Sequence, residues 1–142
     1  MYSVVFDTVV FVRSLINPGG MWGRLIFTYA GHYRLIVSPP VVEGILKVLQ
    51  RPELTRKYRG LATRNMQTII GVLQLADVVE LDEIPAISRD VKDDKVLVTA
   101  TMGGAQYLVS EDNDLLILGM YEGVRIVNAA TFLGILEHDV AL

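Results

Sequence analysis

Two acidic side chains follow short apolar runs, a position at which a carboxylate can do chemistry. Asp7 comes directly after Tyr2–Phe6, and Asp112 comes shortly after Tyr107–Val109. If both runs are strands of a parallel sheet, the two acids lie at its carboxyl edge, where such sheets bind their ligands. An Asp in this position also caps the helix that follows, and capping does not exclude binding a metal ion. Both roles are therefore open for Asp7 and Asp112.

Three further acids lie in helical stretches. Asp93 and Asp94 open an apolar stretch, where acids complement the helix dipole. Glu43 is a lone acid within the apolar segment 41–50, and such a residue usually faces solvent. Each signal is weak alone, so its value depends on whether the fold brings these acids to Asp7.

The composition limits the chemistry to oxygen ligands. The chain has no cysteine and two histidines, His32 and His138, which excludes zinc–thiolate sites, iron–sulfur clusters, thiol nucleophiles and a histidine-rich metal site. A bound metal ion must then be held by oxygen atoms, which points to Mg²⁺ or Mn²⁺. The net charge of −3 excludes a protein that binds nucleic acid by overall basicity, so any phosphate contacts must come from a local patch.

Apolar strands that alternate with helices must position these acids. With 142 residues, 51% of them hydrophobic, the chain is long enough for one domain over residues 1–142 and is not intrinsically disordered. The pattern predicts a three-layer α/β/α sandwich with a mostly parallel central sheet. The predicted strands are 2–6, 33–37, 76–81, 106–109 and 124–127, and the predicted helices are 8–16, 21–30, 41–50, 53–58, 61–75, 93–102, 114–118 and 129–137, with an acidic loop over 82–92.

Neither a membrane span nor a secretory signal is expected. No segment reaches the roughly 18 consecutive apolar residues that a span requires. The N-terminus lacks a basic region and meets Asp7 at once, which is not typical of a signal peptide. We therefore expect a cytoplasmic protein.

Three stretches of the chain resemble the PIN (PilT N-terminus) domain, specifically its toxin-like branch. The apolar run that leads into Asp7-Thr8 is similar to the family's first motif. The helix over 41–49 followed by Arg51-Pro52 is similar to its second motif. The block over 89–116 is the most specific, because it matches in order, spacing and residue type. The resemblance covers nearly the whole chain.

This resemblance implies a site and an activity. In PIN domains one acid from each motif converges in a cleft that binds Mg²⁺ or Mn²⁺, and here those acids are Asp7, Glu43, Asp93 and Asp112. Ser110 matches a family Ser/Thr that supports the fourth acid or a metal-bound water. The implied protein is a ribonuclease that hydrolyses RNA phosphodiester bonds as the toxin of a toxin–antitoxin pair. The implied protein partners are a cognate antitoxin and a second copy of the chain in a homodimer. A high apolar content in a short chain also favours self-association.

The register of the third acid is set by helical phase. Asp93 precedes Val96, Leu97 and Ala100 by three, four and seven residues, so it shares their face. Asp94 lies about 100° further round the helix, which favours Asp93 as the ligand. Asp90 and Asp114 are secondary candidates.

One residue departs from the family pattern and leaves a second function open. The family usually has Asn where this chain has Val9, and a valine cannot donate or accept a hydrogen bond. The alternative is therefore a catalytically weak PIN-fold module that binds RNA or protein. A phosphatase with Asp7 as nucleophile is a weaker alternative, because Val9 replaces the second Asp that an Asp-x-Asp motif would need.

A cluster of basic residues could contact an RNA backbone. A solvated surface is an equally good explanation. Its members are Arg51, Arg56, Lys57, Arg59 and Arg64.

Overall fold

The computed structural model describes residues 1–57, 59–81 and 91–141, and within these ranges the side chains of 55, 57, 59–65, 91–93 and 141 are not described. The strands are β1 (Tyr2–Phe6), β2 (Tyr33–Val37), β3 (Asp77–Val78), β4 (Tyr107–Val109), β5 (Met120–Tyr121) and β6 (Val124–Val127). The helices are α1 (Thr8–Ile16), α2 (Met21–Gly23), α3 (Pro39–Leu49), α4 (Pro52–Lys57), α5 (Arg59–Gln74), α6 (Val91–Met102), α7 (Asn113–Leu118) and α8 (Ala129–Ala141), and a π-helical turn (Arg24–Thr28) follows α2.

The strands form one mixed sheet in the order β3-β2-β1-β4-β6-β5. All neighbouring pairs are parallel except β5 and β6. The central strand β1 lies between β2 and β4, so the ends of these three strands meet at one edge. This arrangement confirms the predicted mostly parallel sheet and places Asp7 at its centre.

Both faces of the sheet are covered. Val4, Val5 and Phe6 are consecutive in β1 and are at most 1% exposed. Successive strand residues point to opposite faces, so complete burial of all three requires packing on both sides. On one side Phe6 makes edge-on contacts with Phe11 of α1 and Phe132 of α8. The predicted α/β sandwich is therefore what the chain forms.

Several predicted boundaries differ from the structure. The helix predicted over 21–30 is a short α2 followed by the π-helical turn, which ends at Thr28. Gly23 permits this bend, because a Cβ there would lie 1.9 Å from the carbonyl oxygen of Pro18. The strand predicted over 76–81 is reduced to β3, and α6 begins at Val91, inside the predicted loop. The remainder of that loop, 82–90, lies outside the described residues.

The antiparallel strand β5 is not predicted by the sequence. It pairs with β6 across a tight turn at Glu122 and Gly123, both of which have positive φ angles of 46° and 84°. Such turns are typical of two-residue hairpins. Met120 and Tyr121 are too short a run to give a strand signal, so only the turn could have indicated it.

Candidate active site

Asp7 is held in one orientation at the carboxyl end of β1. Its Oδ1 accepts a hydrogen bond from the backbone N–H of Thr8 at 2.7 Å, and its Oδ2 accepts one from Ser110 Oγ at 2.8 Å. Its own N–H donates to the carbonyl oxygen of Val109 at 2.9 Å, which ties it to β4. Asp7 is also the N-cap residue of α1, so the capping role considered above is present.

Ser110 joins the first acid to the last. Its side chain is fully buried at the end of β4, and its hydroxyl donates to Asp7 while accepting from the N–H of Asp112 at 3.0 Å. Its own N–H donates to Val127 of β6 at 3.0 Å. One hydroxyl therefore fixes the carboxylate of Asp7 relative to the backbone of Asp112.

Asp112 caps α7 and remains half-buried. Its Oδ1 accepts a hydrogen bond from the N–H of Asp114 at 2.8 Å. Asp114 itself is exposed in the first turn of α7. Carboxylates have about four acceptor sites, so capping uses only part of the capacity of Asp112.

The backbone of Asp93 lies in the first turn of α6, and its side chain is outside the described residues. After α6 the chain returns to the amino edge of the sheet, where the N–H of Gln106 donates to Ser3 in β1. The first turn of α6 therefore lies toward the carboxyl edge, the same edge as Asp7. This orientation is the one that a helix before a parallel strand adopts.

The structure weakens the helical-phase argument that separated Asp93 from Asp94. Asp94 is only 3% exposed. The residues from Val96 to Ala100 are buried as well, and Lys95 is half-buried. Because α6 is buried on most of its circumference, phase alone does not choose between the two acids. Asp94 is a buried and interacting carboxylate.

Glu43 is exposed on α3. The buried positions of α3 are Val41, Ile45 and Leu49, which repeat every four residues. At 100° per residue, Glu43 lies on the opposite side of the helix from this stripe. Its neighbour Gly44, and not Glu43, lines the cavity between α3 and α6.

The donor set is suited to a hard divalent cation. Asp7, Ser110 and Asp112 lie together at one edge, where Ser110 bonds the Asp7 carboxylate and the Asp112 backbone, and the side chains of all three carry only oxygen as a possible ligand atom. Among the residues whose side chains the structure describes, however, no three acids come close enough to hold an ion. A complete site therefore needs a further acid, and the side chain of Asp93 is not among those described.

A buried hydroxyl pair near this edge was not identified from the sequence. Ser38 follows β2 and is the N-cap residue of α3, but its side chain makes no capping hydrogen bond. Its Oγ instead lies 2.8 Å from Thr99 Oγ1 on α6, and both residues are fully buried. Thr99 also donates to the carbonyl oxygen of Lys95 at 2.6 Å. This contact anchors α6 to the carboxyl end of β2. The signal available in the sequence was a Ser before Pro-Pro, which indicates a helix start and not a long-range contact.

Val9 lies in the first turn of α1 and packs against the hydrophobic core while half-buried. This apolar contact lies at the position where the resemblance to PIN domains would place an Asn.

Comparison with known proteins defines the class. A family model for the PIN domain matches residues 3–114. This match covers most of the chain and includes Asp7, Asp93, Ser110 and Asp112. The chain belongs to the PIN domain family.

The chain is also similar to individual proteins. It is 27% identical over 117 residues to the uncharacterized protein MJ1680 of Methanocaldococcus jannaschii, which covers 82% of this chain and 74% of that protein. Among solved structures, PAE2754 from Pyrobaculum aerophilum matches with a TM-score of 0.63 and 14% identity, over 96% of this chain and 90% of that one.

Two VapBC structures contain a chain of the same fold. VapBC2 from Rickettsia felis, bound to a DNA fragment from their promoter, gives a TM-score of 0.58 at 10% identity over 89% of this chain and 98% of that one. DNA-bound VapBC from Salmonella typhimurium gives 0.55 at 15% identity over 91% and 99%. At these identities the likeness establishes the fold.

No helix among the described residues is long and apolar enough to cross a membrane.

Proposed function

We propose that this PIN-domain protein is a divalent-metal-dependent ribonuclease and the toxin of a toxin–antitoxin pair. The observation that carries the proposal is the Ser110 hydroxyl, which links Asp7 to the backbone of Asp112 at the carboxyl edge of the sheet. This buried contact holds the Asp7 carboxylate, which follows β1, against the backbone of Asp112, which follows β4. Family membership supports the nuclease class, and the VapBC likeness supports the toxin role.

Asp7, Asp93 and Asp112 are the residues proposed to hold Mg²⁺ or Mn²⁺. Such an ion, when bound, activates water for attack on phosphorus and stabilises the leaving oxygen. Glu43, the fourth predicted acid, is exposed on α3 on the side opposite the buried residues, so we do not propose it as a direct ligand. Like-charged acids at one edge repel each other, and a cation removes that cost.

The chain's own residues prepare this site. The N–H of Thr8 and the hydroxyl of Ser110 each occupy one oxygen of Asp7, which fixes the plane of the carboxylate. Holding a ligand group before the reaction lowers the cost of reaching the productive geometry.

The proposed partners are RNA as substrate, a cognate antitoxin, and a second copy of the chain in a cytoplasmic homodimer. The antitoxin is proposed because the two VapBC structures are complexes of the same fold with their partner. Self-association is proposed from the 51% hydrophobic content of a short chain.

Cleavage of a mixed RNA pool tests the nuclease activity. With Mn²⁺ present we expect cleavage by the wild type and by Asp139→Asn, an exposed substitution of the same chemistry on α8. Asp7→Asn should abolish cleavage, and EDTA should abolish it in all variants. Cleavage that survives in Asp7→Asn would contradict the proposed site.

The second candidate is a PIN-fold module that binds RNA or protein without efficient catalysis. Two observations favour it: the apolar Val9 in the first motif and the exposed Glu43 in the second. RNA binding without cleavage in Mn²⁺, by a wild type that binds the metal ion, would select this alternative.

A further inference from the structure

A cavity of about 190 Å³ lies beside the acidic edge, between the start of α1, α3 and α6. Its lining includes three basic residues, Lys47, Arg51 and Lys95. It also includes Thr8, the residue that follows Asp7, so it opens next to the first acid. None of its described lining residues is acidic.

The three basic side chains are available to a ligand. Among the residues whose side chains are described, ion pairs join Arg24 to Glu137 and Arg34 to Asp77, and these pairs lie elsewhere. Lys47 and Arg51 are exposed, and Lys95 is half-buried. Three cations around one cavity repel each other in a chain of net charge −3, and an anion would relieve that repulsion.

Gly44 keeps the cavity open on the α3 side. A Cβ built at this position meets no atom within 4 Å, so the space in front of it is empty. The cavity volume of about 190 Å³ is many times the roughly 10–15 Å³ that one water molecule needs on this measure, so a phosphate group fits. Lys and Arg are the side chains that bind phosphate, Arg by two parallel hydrogen bonds and Lys as a point charge.

We propose that this cavity binds a backbone phosphate of RNA, next to the phosphate that the acids act on. The inference rests on the proposed function, from which it takes both the RNA and the phosphate at the acids. Because Thr8 borders the cavity and its N–H binds Asp7, the two phosphates would be neighbours along one strand. The acids repel a polyanion, and the cationic cavity provides the attraction that holds it at the edge.

Binding of a 2′-O-methyl oligoribonucleotide tests this proposal without cleavage. Fluorescence anisotropy in EDTA measures the Kd of the wild type and of the triple variant Lys47→Gln/Arg51→Gln/Lys95→Gln. The triple variant should bind about tenfold more weakly at low salt, given that exposed ionic contacts are each worth a fraction of a kcal/mol to about 1 kcal/mol. The slope of log Kd against log salt should fall by about 0.7 for each cation removed.

Arg125→Gln is the control for the loss of a positive charge outside the cavity, and it removes one charge where the triple variant removes three. Arg125 is exposed and pairs in register with Tyr107, at the amino end of β6 and away from the cavity. This variant should change neither the Kd nor the salt slope. Equal effects of the triple variant and Arg125→Gln, or a wild type that does not bind the oligonucleotide, would overturn the proposal.

Gly44→Glu and Gly44→Gln, whose new side chains have nearly the same shape, provide a second test of whether the cavity binds an anion. Both fill the same empty space on an interior helix position, and only Glu adds a negative charge. Gly44→Glu should weaken RNA binding several-fold more than Gly44→Gln. If Gly44→Glu tightens Mn²⁺ binding without weakening RNA binding, the cavity is part of the metal site and the proposal fails. If the variants change RNA binding as expected but the wild type does not cleave unmodified RNA, only the proposed nuclease activity is refuted.

Discussion

Single hydroxyl groups do much of the positioning in this protein. The Ser110 hydroxyl touches Asp7 and the backbone of Asp112, and the Ser38 hydroxyl touches Thr99. All three hydroxyl residues are fully buried, so each group loses its water partners on folding and needs the partner that the fold supplies. We expect removal of these hydroxyl groups to lower the stability of the protein and to change the position of residues at the carboxyl edge.

Ser110→Ala should weaken metal binding by releasing Asp7. A buried hydrogen bond to a charged group contributes roughly 1.5–3 kcal/mol, and its removal also leaves the N–H of Asp112 unpaired. We expect a lower melting temperature and a smaller rise in that temperature on adding millimolar Mn²⁺. Differential scanning calorimetry with and without Mn²⁺ measures both effects.

Ser14→Ala is the control for Ser110→Ala. Ser14 is also fully buried, and its hydroxyl donates to the carbonyl oxygen of Phe11 within α1 at 2.6 Å. It should lower the melting temperature while leaving the Mn²⁺ effect intact. An unchanged Mn²⁺ effect in Ser110→Ala would contradict the positioning role.

Asp93 and Asp94 should separate by what their substitution changes. Asp94→Asn alters a buried, interacting carboxylate and should lower the free energy of unfolding by about 1–3 kcal/mol without metal. Asp93→Asn should leave the metal-free stability nearly unchanged and remove most of the Mn²⁺ stabilisation, which is about 2.7 kcal/mol at a hundredfold excess over Kd. Urea unfolding with and without Mn²⁺ measures the metal-free stability and the Mn²⁺ stabilisation of each variant. If Asp94→Asn and not Asp93→Asn removes the Mn²⁺ stabilisation, Asp94 is the ligand.

Some site residues can be placed from the local sequence pattern, whereas the positions of others depend on tertiary contacts. Asp7 and Asp112 follow strands, so the sequence predicts their common edge, and the structure adds the Ser110 contact between them. Glu43 could not be placed by resemblance alone, because one residue along a helix turns a side chain through 100°. The Ser38–Thr99 contact joins residues far apart in sequence and leaves no local signal.

At the level of elements, three consecutive residues after β4 connect the edge to the surrounding helices. Ser110 binds Asp7, and Asp112 caps α7. Between them, Glu111 Oε1 accepts from the N–H of Ala129, the first residue of α8, at 2.9 Å. The starts of α1, α7 and α8 are thus joined through one short segment, which makes the carboxyl edge a rigid platform for binding.

Elements with an uninterrupted pattern are predicted well, and those that depend on packing are not. Strands β1 and β2 and helix α1 have the predicted bounds, since apolar runs and the turn at 17–20 delimit them. The π-helical turn depends on the close approach of Gly23 to Pro18, and the short β3 depends on pairing with β2. Neither feature has a periodic sequence signal.

Tyr33 connects β2 to the π-helical turn. Its ionisation makes the free energy of unfolding depend on pH in the alkaline range. Its hydroxyl donates to the carbonyl oxygen of Leu25 at 2.8 Å, and burial raises the pKa of Tyr33 far above its ordinary value. A raised pKa in the folded state means that the stabilisation is complete below the unfolded pKa near 10 and is lost as the pH rises above it. Unfolding free energy should therefore fall above about pH 10.

Tyr33→Phe should flatten this alkaline decline. At neutral pH the variant should lose about 1 kcal/mol, the net value of one hydrogen bond. Chemical denaturation between pH 7 and pH 11 compares the two proteins. A decline of equal steepness in both would show that Tyr33 is not the group responsible.

At the scale of the whole molecule, the chain exposes apolar side chains at one end of its sheet. Ile117 and Met120 are 81% and 56% exposed, and β5 is the edge strand on that side. An open edge with exposed apolar residues favours pairing with another chain. This surface is the place where the proposed self-association is expected.

Met120→Lys should reduce self-association by placing a charge on the edge strand. Sedimentation velocity at tens of micromolar should show a dimer for the wild type and a shift toward monomer for the variant. Val140→Lys, on an exposed position of α8, is the control and should remain dimeric. A wild type that sediments only as monomer would contradict the dimer.

The position of bound Mn²⁺ tests the central claim, that the fold assembles acids from separate motifs into one metal site. Crystals grown with Mn²⁺ and measured at its absorption edge give an anomalous peak that locates the ion directly. We expect the peak at the carboxyl edge of the sheet, with oxygen atoms of Asp7, Asp93 and Asp112 around it and Glu43 outside the direct ligands. An ion held by other residues, or saturating Mn²⁺ with no peak at Asp7, would contradict the proposed active site.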